Sequence, residues 1–160
     1  MKDLRVRLVT PADDGALARI IREGMDEFGI CVSDEVPDPE LRSISAAYGA
    51  PRSAYFAAEF EGRVLGGGGI GPIEGQPEEV CELRKMYLVR DARGLGAGRC
   101  IMEACLDAAR DSGYTRCFLA TLESMERARR LYAGFGFRRS AHPLPGSGHL
   151  GCDTWYSLDL

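Results

Sequence analysis

Met86-Tyr87-Leu88-Val89-Arg90-Asp91-Ala92-Arg93-Gly94-Leu95-Gly96-Ala97-Gly98-Arg99 is the stretch that decides how this chain folds. An apolar strand runs into a short turn, glycines follow at every second position (Gly94, Gly96, Gly98), and an apolar-periodic helix begins. That order builds an anion site. A helix start leaves backbone N–H groups unpaired and carries partial positive charge, and glycines let the backbone approach a phosphate with no Cβ in the way. Arg93 and Arg99 add charge at the two ends of the turn.

Elimination narrows the phosphate ligand. A Walker loop needs Lys-Ser/Thr after its last glycine, where this chain has Arg99-Cys100, and the dinucleotide pattern needs a further glycine at the position of Arg99. What remains, Arg93-x-x-Gly96-x-Gly98 after a strand ending in Tyr87-Leu88-Val89, resembles the acetyl-CoA pyrophosphate loop of GNAT-superfamily N-acetyltransferases. Glu82-Leu83-Arg84-Lys85-Met86-Tyr87-Leu88 resembles that family's central strand. Ala128-Arg129-Arg130-Leu131-Tyr132-Ala133-Gly134-Phe135-Gly136-Phe137 resembles its final helix and LYxxxGF signature. The three motifs stand in family order and at family spacing, over about residues 53 to 139.

The bulk composition agrees with an ordinary enzyme domain. At 160 residues and 45% hydrophobic content, one domain spanning 1–160 with a single core is expected. A net charge of −4 argues against a nucleic-acid partner, and the cluster Arg127, Arg129, Arg130, Arg138 and Arg139 reads as a solvated helix face with a phosphate-facing edge. No stretch approaches the ~20 apolar residues of a membrane span and no signal peptide is visible at Met1 to Arg5, so a cytoplasmic protein is expected. Six cysteines without a C-x-x-C pair read as reduced, mostly buried thiols. His149-x-x-Cys152, with His142 the only other histidine, lacks the partner pair of a metal site, so no metal is expected.

Along the chain, Leu4 to Thr10 alternates as a half-buried strand, and Thr10-Pro11 caps and opens a helix through Leu17, Ile20, Ile21, Met25 and Phe28 to Gly29. Cys31 to Pro39 is a loop, and Asp38-Pro39-Glu40 opens a short second helix. Ser53 to Phe60 and Arg63 to Ile70 form a hairpin about Glu61-Gly62, and Val80 to Val89 is the central strand. A helix over Gly98 to Ser112, a strand at Arg116 to Ala120, a helix over Met125 to Gly134, and strands at Phe137 to Ser140 and Thr154 to Leu160 complete the pattern. The order βααβββαβαββ predicts an α/β fold, a mixed sheet with helices on both faces. It matches GNAT topology, which implies a mostly antiparallel central sheet.

The resemblance also implies roles. Acetyl-CoA is the expected co-substrate, held by Arg93, Gly94, Leu95, Gly96, Ala97, Gly98 and Arg99, with Leu88 and Val89 offering backbone groups to its pantetheine arm. The N–H of Leu88 is the expected oxyanion donor. Glu82, six residues before Leu88 on the same strand, stands where several family members carry a carboxylate that deprotonates the amine through a water. It also stands two residues from Arg84, on the same strand face, so a plain salt bridge is the competing reading. Tyr132 is either the general acid for the departing thiolate or an aromatic core residue on an amphipathic helix. Many members carry Asn three residues before the position of Ala128; this chain has Met125.

Gly66 to Gly69, inside a strand, read as a bulge or bend where something packs against bare backbone. At this place in the fold the acceptor or the acetyl group is a candidate for that something, with Gly68 and Gly69 in contact. The tail Gly146 to Asp153 is either a polar hairpin turn or an acceptor loop, in which His149 and Asp153 bind the substrate amine. The expected activity is direct acetyl transfer to a primary amine of a small molecule, an amino acid or a peptide. The rival is a catalytically silent acyl-CoA-binding module. At the level of assembly the resemblance implies a homodimer.

Overall fold

A computed structural model describes residues 3–30, 32–33, 37–147 and 151–160. Its elements are β1 (Leu4–Leu8), α1 (Asp14–Glu27), α2 (Ile44–Ala47), β2 (Ala54–Phe60), β3 (Arg63–Pro72), β4 (Val80–Leu88), α3 (Ala97–Asp111), β5 (Arg116–Thr121), α4 (Glu126–Gly134), β6 (Arg138–Ser140) and β7 (Thr154–Asp159). Among the described residues, seven strands make one sheet in the order β1-β2-β3-β4-β5-β7-β6. Every neighbouring pair is antiparallel except β4 with β5. The element order and the mixed, mostly antiparallel sheet agree with the sequence reading.

The apolar spacing of the two long helices decides which face each buries. Leu17, Ile21 and Met25 of α1 pack with Ile44, Tyr48 and Tyr55 on one side of the sheet. Ile101, Met102, Cys105 and Leu106 of α3 pack with Ile70 and Leu83 on the other, where Tyr132 of α4 joins them. Each such Leu, Ile or Met side chain removed from water contributes roughly 1.5–3 kcal/mol, so the two clusters fix the helices to the sheet.

Both N-terminal helices start differently from the sequence expectation. Thr10-Pro11 opens a 3-10 turn (Pro11–Asp13), and α1 begins only at Asp14. The Asp13 carboxylate accepts the Thr10 N–H at 2.8 Å and is gripped by the Arg7 guanidinium at 2.8 and 3.0 Å, which holds this tighter turn. The second helix is split into a 3-10 turn (Pro39–Arg42) and the single turn of α2, because Ser43 between them is extended. Asp14 joins this pair to α1 by accepting from the Ser45 N–H and from the Ser43 and Ser45 hydroxyls, each at 2.8 Å. The hairpin at Glu61-Gly62 is as read, with both residues at positive φ (49° and 77°), the backbone of a type I′ turn.

Two irregularities in β4 create the space that matters. Gly67 stands opposite Tyr87 and Gly69 opposite Arg84, so Gly68 faces both Lys85 and Met86: a bulge, with Lys85 at φ +53°. Beyond it, β4 and β5 part company. They are in register only from Val80 to Glu82 and Arg116 to Phe118, although both strands run on.

Candidate active site

The parting of β4 from β5 opens a cleft of about 820 Å³, lined by Glu82 to Leu88 on one side, by Leu119 to Thr121 and α4 on the other, and by the end of α1 and the glycine turn. Leu88 is turned into it. Because the Val89 N–H donates to the Leu65 carbonyl at 2.8 Å, Leu88 and Gly66 form a non-hydrogen-bonded antiparallel pair. In such a pair the residue's own N–H and C=O point away from the partner strand, here toward the side that β5 has vacated. The Leu88 carbonyl accepts from Arg93 Nε at 3.2 Å.

Val89 is oriented otherwise than expected. Its N–H is held by Leu65, its carbonyl accepts from the Ala92 N–H at 3.1 Å, and it does not line the cleft. The side chain of Arg93 lines the cleft and is also bound to protein: it forms a two-pronged pair with Glu27 at 2.9 and 2.7 Å. That pair ties the glycine turn to the end of α1, and the Arg93 guanidinium holds the Glu27 carboxyl below its usual range. Nothing in the local sequence of Glu27 signals this contact, which spans 66 positions.

The turn itself fits a pyrophosphate. Gly94 and Gly96 take positive φ (76° and 92°), Gly96 caps α3, and a Cβ on Gly96 would meet nothing within 4 Å. The space above it is therefore open to a ligand while the first N–H groups of a 15-residue helix converge there. Gly98 has ordinary φ and lies in the first turn of that helix. Arg99 and Arg127 also line this end, with the Arg127 guanidinium 3.3 Å from where a Cβ on Gly94 would lie, and Arg130 lines the cleft. Leu95 is half exposed and Ala97 fully buried, so neither side chain lines the cleft.

At the far end, Glu82 and Arg84 share a face of β4, and Arg84 Nε bonds the Glu82 carboxylate. The salt bridge considered from the two-residue spacing is thus present, and Glu82 still lines the cleft. Burial works against the charge of Arg84, but Glu82, Tyr48 and Glu40 outweigh it and hold its pKa above the ordinary arginine value. Lys85, at the bulge, is nearly inaccessible and pairs with Asp38 at 2.8 Å and Glu40 at 3.5 Å. Tyr132 is buried against Phe137 and Tyr156 and lines the cleft. Burial, with Cys152 nearby, pushes its phenol well above the ordinary tyrosine value. Met125, noted in the sequence as standing in place of an Asn, lines the same wall and accepts from the Thr121 hydroxyl through sulfur at 3.3 Å.

The expected acceptor contacts fare differently. Gly68 and Gly69 do not line the cleft. A Cβ on Gly68 would lie 2.9 Å from Ile101, and one on Gly69 would lie 2.7 Å from Tyr55 and 2.8 Å from Tyr48, so side chains of the protein occupy the space beside this bare backbone. Asp153 is exposed and accepts from the Glu123 N–H at 2.8 Å and the Thr154 hydroxyl at 2.9 Å, which closes the turn after β5. His149 lies outside the described residues. Sequence reasoning missed Glu27, Lys85 and Cys152, all of which line the cleft. Glu27 and Lys85 are held there by partners distant in the chain, Arg93 for the first and Asp38 and Glu40 for the second.

The fold is that of solved acetyltransferases. The structure of an acetyltransferase from Streptococcus agalactiae superposes with a TM-score of 0.84 over 100% of both chains at 18% identity. That of yncA, a putative acetyltransferase from Salmonella typhimurium with its cofactor acetyl-CoA, matches at 0.78 over 98% of this chain and 94% of that one, at 20% identity. The chain also resembles the uncharacterized N-acetyltransferase YjgM of Escherichia coli, at 36% identity over 93% of this chain and 90% of the relative. The model of the acetyltransferase (GNAT) family matches residues 18–137. This chain belongs to that family, and it is an N-acetyltransferase that uses acetyl-CoA.

Proposed function

We propose that the chain moves the acetyl group of acetyl-CoA directly to a primary amine of a small molecule, an amino acid or a peptide, without an acyl-enzyme. The observation that carries this reading is the convergence of Leu88, Glu82 and Tyr132 on one cleft with the glycine turn at its mouth. Bound acetyl-CoA supplies an acetyl group already activated as a thioester. The helix start and the turn from Arg93 to Arg99 hold its phosphates by backbone donation and positive charge. The N–H of Leu88, fixed by the strand and turned to the open side, stabilises negative charge developing on a carbonyl oxygen.

An amine at neutral pH arrives as an ammonium and must lose a proton before it can attack. Glu82 accepts that proton, through a water, and Arg84 orients its carboxylate. Tyr132 donates to the departing thiolate. Burial keeps its phenol protonated, so the group remains a donor throughout the neutral range.

Steady-state kinetics with acetyl-CoA and a panel of amines tests the assignment. Tyr132→Phe should lower kcat by roughly tenfold to a thousandfold with CoA affinity little changed. Because the phenol's pKa is raised, wild-type kcat should show no alkaline loss due to Tyr132 below about pH 10. Full turnover in Tyr132→Phe would return the residue to the core. We include a cytoplasmic setting in the proposal, in accord with the free thiols of Cys81, Cys100, Cys105, Cys117 and Cys152 among the described residues.

A further inference from the structure

Glu82, Arg84 and Tyr87 stand on one face of β4, opposite Gly71, Gly69 and Gly67 of β3. The bulge at Lys85 and Met86 makes that so. An unbroken ladder would put Met86 on the face of Arg84 and send the Tyr87 side chain to the other. The Tyr87 ring lies against α1 at the buried Gly24. A Cβ on Gly24 would lie 2.4 Å from Tyr87 Cδ1, whereas one on Gly15 of the same helix would meet nothing within 4 Å. Gly24 has no positive φ, and glycine is disfavoured inside a helix, so what it supplies here is room for the ring.

Tyr87 is half-buried and lines the cleft. Tyr132 and Cys152, which line the same cleft, and Asp38 lie close enough to its phenol to act on it electrostatically. Burial pushes that phenol above the ordinary tyrosine value, so at neutral pH it keeps its proton and can both donate and accept. Other tyrosine hydroxyls are spent on the protein: Tyr48 donates to Glu40 at 2.7 Å, Tyr55 to the Lys85 carbonyl at 2.8 Å and Tyr114 to the Arg52 carbonyl at 2.8 Å. Among the described residues no protein group takes a hydrogen bond from the Tyr87 hydroxyl or gives it one. A polar group on a cleft wall, once an occupant cuts it off from water, is paired by that occupant or costs free energy.

We infer that the Tyr87 hydroxyl binds the acceptor by a hydrogen bond, given the reading above that the amine enters on the face of β4 that carries Glu82. Tyr132 serves the departing thiolate. Tyr87 holds the attacking partner in place, and Gly24 is the seat of its ring.

Removing the hydroxyl while keeping the ring tests it. Initial rates of the enzyme are measured with phenylethylamine, putrescine, alaninamide and methionine as acceptors, and the preferred amine is carried forward. Tyr87→Phe should lower kcat/KM for that amine by roughly three- to tenfold, the worth of one hydrogen bond, chiefly through KM. The acetyl-CoA KM and the melting temperature should not change. Gly24→Ala, whose added methyl displaces the ring, should also raise the amine KM, and should add little in the Tyr87→Phe background. Amine kinetics unaltered by Tyr87→Phe would overturn the inference and leave acetyl transfer standing, as would an acetyl-CoA KM raised as much as the amine's. A Gly24→Ala effect of full size in the Tyr87→Phe background would overturn the part given to Gly24. If Gly24→Ala does not fold, Tyr87→Phe alone decides the role of the hydroxyl. Absence of turnover with every amine, in an enzyme that binds CoA, would overturn the acetyl-transfer reading itself.

Discussion

Two runs of glycine sit within thirty-five residues of each other in this chain and do opposite things. In β3, Gly66 to Gly69 are walled in: a Cβ on Gly66 would lie 2.1 Å from the Tyr87 carbonyl oxygen, and one on Gly67 would lie 2.4 Å from the Tyr55 ring. In the turn before α3, a Cβ on Gly96 would meet nothing, one on Gly94 only the Arg127 guanidinium at 3.3 Å, and one on Gly98 side-chain carbons from 3.4 Å outward. The strand glycines are spent on the protein's own packing. The turn glycines keep a space that the protein does not fill. Glycine content alone therefore says little about a ligand; what stands against the missing side chain says more.

Substitutions separate the two uses by their readout. Gly66→Ala should have the largest effect on the fold, about 2–4 kcal/mol of stability in denaturant unfolding, because its Cβ meets backbone on both Tyr87 and Leu88 and cannot be relieved by a rotamer change. Unaltered stability there would break the comparison. Gly96→Val should cost less, about 1–2 kcal/mol for a side chain forced to positive φ, and should weaken CoA binding by roughly tenfold or more in calorimetry. Gly98→Ala should be the mildest. With ordinary φ and ordinary contacts, it should leave stability unchanged or raise it by up to about 1 kcal/mol, while CoA affinity still falls. CoA bound equally well by both turn variants would move the pyrophosphate elsewhere.

The same contrast explains what could be read beforehand. The turn is legible because strand, glycines and helix follow one another within fourteen residues, and the anion site is a property of that local order. The Glu82–Arg84 pair is legible because a spacing of two puts both on one strand face. The glycine strand was open to two readings because its neighbours, Tyr48, Tyr55 and Ile101, come from α3 and from segments ahead of β3. Asp153 looked available as a carboxylate until the fold set it beside the Glu123 N–H, thirty positions away. Arg93 reads as a phosphate ligand in the local sequence, which gives no sign that Glu27, sixty-six positions away, also binds two of its nitrogens. Local chemistry was readable in each case; the partner that competes for it was not.

The three-residue register between β4 and β5 has a consequence for how the sheet breathes. The strands from β1 to β4 and those from β5 to β6 are two ladders meeting at a short seam, so β4 has an interior position in the sheet and, past Glu82, is out of register with β5 as an edge strand would be. Deuterium should exchange into the Leu88 amide far faster than into Val89, whose N–H is locked to Leu65. Saturating acetyl-CoA should slow the first and leave the second unchanged, so that one residue step along the chain separates an amide kept in reserve for chemistry from one committed to architecture.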